Sequence, residues 1–157
     1  MKHFTLPKEF AEKWVKALES GEYEQGEETL VNADYERDED GIIVSDSLNM
    51  DNCTFCCLGV AAVVVGVDPL NIIGYDLLHE VDKTLPEELP SALIYEGEDL
   101  VDLLSSLNDG IPSVKLHKYK EQYPNLVFHI ERPSSGIPIY TFKDIAQFIK
   151  TNIEFKP

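Results

Sequence analysis

A chain of 157 residues with 43% hydrophobic side chains is long enough to form one domain around a buried core, which excludes a wholly disordered protein. Its 29 acidic residues against 13 basic ones give a net charge of −16, which sets the surface against direct binding of nucleic acid, whose phosphates carry the same sign. Three clustered cysteines exclude a disulfide framework, the longest apolar run (Leu58 to Val67) is too short to cross a bilayer, and no apolar leader opens the chain, so a cytoplasmic protein without a membrane partner is expected.

The first element is a helix over Leu6 to Ser20. Pro7 suits its first turn, and Phe10, Trp14, Ala17 and Leu18 share one face at helical spacing. Gly21 is its expected stop. A hairpin is expected next, with Thr29–Val31 and Ile42–Val44 as its arms and Asp40-Gly41 in the turn. Cys53 to Gly66 has no polar face, and its length and alanines predict a buried helix rather than a central strand. Gly66 and Asp68-Pro69 then end it.

Residues 69–96 read as irregular structure with short elements, broken at Pro86 and Pro90. Glu98 to Asn108 carries Leu100, Leu103, Leu104 and Leu107 on one stripe and is predicted helical, with a turn at Asn108-Asp109-Gly110. The alternation from Leu126 to Ile130 predicts a strand. Thr141 is placed to cap a last helix, in a capping-box spacing with Asp144, whose apolar face is Ile145, Phe148, Ile149 and Ile153. The fold class expected is α+β, a single domain over 1–157 with about four helices packed on a small antiparallel sheet.

Charge is unevenly distributed. Residues 19–40 hold ten carboxylates, opposed only by Arg37, whereas Lys115, Lys118 and Lys120 cluster within a few residues. Such a dipolar surface can steer a charged partner.

Short blocks occur in a fixed order along the chain. They are Trp14-Val-Lys-Ala-Leu18 with Ser20-Gly21-Glu-Tyr23-Glu-Gln25-Gly26, then Cys56-Cys57-Leu58-Gly59-Val60, and then Leu85-Pro86. Leu104-Ser-Ser-Leu107-Asn108-Asp109 and Phe142-Lys-Asp-Ile145-Ala146-Gln-Phe148-Ile149 complete the series. This order resembles a widespread family of small proteins from tailed bacteriophages and prophages. The resemblance implies a phage accessory protein made in the host cytoplasm, and it carries over no reaction and no catalytic residue. Ala61 to Val65 is more apolar than the family pattern at that place. The stretches 19–40 and 111–140 are elaborations on the pattern, and a function specific to this chain is expected there.

The chemical motifs are few. Cys53-Thr-Phe-Cys56 is a CxxC, but a zinc site needs four ligands and no second pair exists, so the cysteines are read as core packing. Glu36-Arg-Asp38-Glu-Asp40-Gly41 imitates the start of a calcium loop, yet the ligand at its twelfth position falls on the neutral Ser47, and an acidic turn is the reading. Phosphate-cradling glycine motifs and a nucleophile elbow are lacking, so no cofactor is called for. Ser134 to Pro138 reads as a loop. His79 and His129 are candidate bases without a constellation around them. Tyr75, Tyr95, Tyr119, Tyr123 and Tyr140 fall in or beside expected loops. Lys115, Lys118, Tyr119, Lys120 and Tyr123, with His79, form the candidate site for a small anionic ligand such as a nucleotide.

Four functions are consistent with these residues. The first is stoichiometric binding in host counter-defence, by sequestering a nucleotide signal or occluding a host protein. The second is an acidic mimic of nucleic acid, and the third an enzyme with its site near His79 or His129. The fourth is a structural or regulatory partner of a phage protein.

Overall fold

The computed structural model describes residues 4–33, 36–42, 44, 53–81, 84–95, 99–111, 113–124 and 140–157. The strand expected at Leu126–Ile130, His129, Ile43 and the loop at Ser134–Pro138 lie outside the described residues. Helix and strand are mixed, as an α+β chain requires, with five α-helices and two strand pairs among the described residues. Only one pair is antiparallel: β2 (Val31–Asn32) against β3 (Thr54–Phe55). The other, β1 (Phe4–Pro7) against β4 (Ile153–Lys156), is parallel, in the register Phe4 to Ile153 and Pro7 to Lys156.

Helix α1 (Lys8–Ser20) buries Phe10, Ala11, Trp14, Val15 and Leu18. Its exposed face carries the pairs Lys8–Glu12 and Glu9–Lys13, each worth about 0.3–0.5 kcal/mol at most. Gly21 ends it at φ +79°, a left-handed conformation that glycine adopts without steric cost. Leu6, expected in this helix, lies instead in β1, and Ile153, expected in the last helix, opens β4. Both remain buried, so the apolar pattern is obeyed while the backbone differs.

Helix α2 (Cys57–Val64) is the buried apolar helix, its start shortened because Thr54 and Phe55 extend into β3. The arms expected to form one hairpin part company. Val31 pairs with Phe55 and bridges Ile73, while Asp38 N–H donates to Ile42 O and Val44 N–H to Glu36 O, each at 2.8 Å, so these residues pair among themselves. The acidic turn survives: Asp38 Oδ1 accepts from the backbone N–H of Asp40 and Ile42 at 2.9 Å. The described residues of 69–81 and 84–95 are irregular, with 3₁₀ turns at Pro69–Asn71, Leu78–Glu80 and Ser91–Leu93.

Helix α3 (Asp99–Asp109) buries its leucine stripe, and helix α5 (Phe142–Asn152) starts from a complete capping box between Thr141 and Asp144. Between them lies helix α4 (Ser113–Gln122), where the sequence suggested a loop. Helix α1 packs on α2 and α5, and α3 packs on α2 and α5, so the buried residues form one continuous cluster with Trp14 at full burial. No helix among the described residues is long and apolar enough to cross a membrane.

Candidate functional site

Three of the short sequence blocks converge on one asparagine. Asn108 is fully buried at the end of α3. Its Oδ1 accepts from the Cys57 N–H at 3.1 Å and from Gln25 Nε2 at 3.4 Å. Its Nδ2 donates to Gly26 O and to Asp109 Oδ1, both at 2.8 Å. Asp109 Oδ1 in turn accepts from Glu28 N–H at 2.9 Å, which holds Glu28 at φ +71°. Gln25 Nε2 also donates to Tyr140 O at 2.7 Å, and Tyr140 N–H donates to Leu107 O at 2.9 Å. Trp14 Nε1 donates to Cys57 O at 2.9 Å. Three of the blocks, those holding Gln25, Cys57 and Asn108, are thereby tied together by hydrogen bonds that satisfy buried backbone groups, a structural task.

The cysteines belong to the same assembly. Cys53, Cys56 and Cys57 are all buried. Cys56 Sγ accepts from Gly59 N–H at 3.4 Å at the start of α2, and Cys57 S–H donates to Leu104 O at 3.7 Å. Burial pushes the Cys56 thiol up to about 12 and the Cys57 thiol well above its ordinary value, so neither is poised as a nucleophile or metal ligand. Among the described residues no group of three or more His, Cys, Asp or Glu side chains could hold a metal ion.

Four of the six residues singled out in the sequence do come together. Lys115, Lys118, Tyr119 and Tyr123 line a cleft of about 230 Å³, with Gln122 beside them. The opposite wall is the start of α3, which contributes Asp99 and Asp102 from its first turn and then Leu103. Lys120 does not line this cleft, and His79 lines a separate groove of about 590 Å³ with Pro86, Pro90 and Tyr95. Helical spacing explains the selection: Lys115, Lys118, Tyr119 and Gln122 are three and four residues apart, whereas Lys120 points elsewhere.

Of the five tyrosines only Tyr119 lies in a helix, and the other four lie in or beside loops as expected, but three of the five are buried. Tyr119 and Tyr123 are each 6% exposed and Tyr140 is buried, while Tyr95 is 57% exposed. Tyr123 is wedged among Phe4, Tyr119 and Phe148, with ring centroids 6.5, 6.3 and 5.4 Å away. Burial raises its phenol pKa, and Tyr119 and the Asp99 carboxylate raise it further. The two carboxylates were not foreseen as site residues. Their signal was present as acidic residues three apart at the start of α3, but that pattern also serves the helix dipole. Asn108 was likewise read as part of a turn, although it lies four residues after Leu104 and so on the buried stripe.

Comparison with known protein families, with curated proteins and with solved structures finds no match for this chain.

Proposed function

We propose that this chain is a phage-encoded binding protein of the host cytoplasm that acts stoichiometrically, by covering a basic surface on a protein of the infected cell. Host defence is the natural target of such a protein. The observation that carries the reading is the state of the acidic stretch. Glu22, Glu24, Glu28, Glu39 and Asp40 are exposed and make no ion pair with any described residue, and Glu19 pairs only with Lys150, at 3.3 Å. Unpaired carboxylates in such numbers raise association rates with a cationic partner and repel acidic ones. Sequestration of a nucleotide has less support. The cleft that holds four of the expected residues sets two carboxylates against two lysines and is smaller than the roughly 300 Å³ at which ligand pockets usually begin.

The test is native mass spectrometry of the protein purified gently from infected cells, beside a variant carrying Glu22→Gln, Glu24→Gln, Glu39→Gln and Asp40→Asn. A stoichiometric companion protein is expected with the parent and not with the variant, its affinity falling steeply as salt rises. Displacement of the companion by duplex DNA would identify the covered surface as a nucleic-acid groove. A parent that carries no companion, or a variant that keeps it, sinks the reading.

A further inference from the structure

We propose that the cleft between α3 and α4 binds a small zwitterion, a molecule with a cationic and an anionic group a few bonds apart. The argument begins with charge. Asp99 and Asp102 stand on one wall, and Lys115 and Lys118 on the other. All four side chains are exposed, and none forms an ion pair with a described residue. A simple anion drawn to the lysines meets the carboxylates at short range, and a simple cation drawn to the carboxylates meets the lysines. A zwitterion satisfies both walls at once, with its ammonium or guanidinium end toward α3 and its carboxylate or phosphate end toward α4.

Size and rigidity point the same way. A volume of about 230 Å³ lies below the roughly 300 Å³ at which pockets for drug-sized ligands usually begin, so the occupant is a smaller molecule, of amino-acid size. The phenols of Tyr119 and Tyr123 and the Gln122 amide supply neutral hydrogen-bonding groups. The two rings are held by the aromatic cluster around Phe148, so this part of the cleft is preformed and little ordering opposes binding. The inference stands apart from the acidic stretch 19–40, none of whose residues lines the cleft.

The experiment is an NMR titration of the full chain with glycine, 4-aminobutanoate and 6-aminohexanoate, with butanoate, butylammonium and inorganic phosphate as single-charge controls. At least one zwitterion is expected to shift the amides of Lys115, Tyr119 and Tyr123 saturably, and to bind about tenfold or more tightly than every control. Asp102→Asn and Lys118→Gln each remove one charged hydrogen-bonding partner, and each is expected to weaken that binding about tenfold or more. Because both positions are exposed, thermal stability should hold. The fourfold neutralised variant in the 22–40 stretch should bind the zwitterion unchanged. The proposal is overturned if no zwitterion saturates, if a single-charge control binds equally well, or if Asp102→Asn leaves the affinity intact.

Discussion

Replacing Asn108 with leucine removes the hub while roughly keeping its volume. The Cys57 N–H at the first turn of α2 and the Gly26 carbonyl both lose their Asn108 partners. An unmade hydrogen bond at a buried group costs about 1–3 kcal/mol. Gln25 keeps Tyr140 O, and Asp109 keeps Glu28 N–H, so these two add little. The expected destabilisation of Asn108→Leu is therefore about 4 kcal/mol, a large part of the roughly 5–15 kcal/mol available to a domain. With a urea dependence of about 2 kcal/mol per molar, the midpoint falls by about 2 M. The single tryptophan, Trp14, reports the transition directly, because its indole bonds the carbonyl of the same Cys57. Asn108→Asp keeps an acceptor for Cys57 but loses both donated bonds and sets a carboxylate beside Asp109, so it should not rescue. A fall of less than about 0.5 M with unchanged slope would refute the view that this network holds the fold together.

Two further outcomes follow from the same packing. Gly59→Ala sets two effects against each other: alanine favours a helix interior by about 1 kcal/mol, but its Cβ would run into the Leu30 carbonyl that accepts from Cys56 N–H. The collision is with backbone, so the variant should lose about 2 kcal/mol and melt about 4–8 °C lower; an unchanged or raised Tm would show that Leu30 moves aside freely. Stability should also decline in alkali. Burial raises the pKa of Cys56, from 9.0 to about 12, and those of Cys57, Tyr123 and Tyr140 rise as well. The unfolded chain therefore releases protons that the folded chain retains, so the Cys56 contribution is complete below pH 9 and is lost as pH climbs toward 12, by about 1.4 kcal/mol per pH unit. Urea midpoints at pH 8, 9.5 and 11 test this, and Cys56→Ala should flatten the slope.

The sequence made some of this legible for clear physical reasons. Helices α1 and α5 declare themselves because a full apolar stripe is paired with a terminator, Gly21, or a cap, Thr141 with Asp144. Helix α2 is legible from its lack of any polar face. Strands β1 and β4 are not, since four residues give too little alternation and their pairing joins opposite ends of the chain. Helix α4 escapes because its polar residues outnumber the two buried tyrosines that anchor its end of the chain, Tyr119 and Tyr123. The lysines of the cleft were visible as a cluster, but only the fold brings Asp99 and Asp102 to line the same cleft. The short blocks were visible too, and their spacing hid that Gln25, Cys57 and Asn108 meet.

The parallel pairing of β1 with β4 has a mechanical consequence. Tension applied at Phe4 and at Lys156 pulls the two strands along their length in opposite directions, so their slanted hydrogen bonds are loaded together in shear rather than peeled one after another. A chain whose outermost strands lie side by side in this sense resists being drawn end-first through a narrow opening, because the four-residue clasp must slide as a unit before α1 or α5 can unravel.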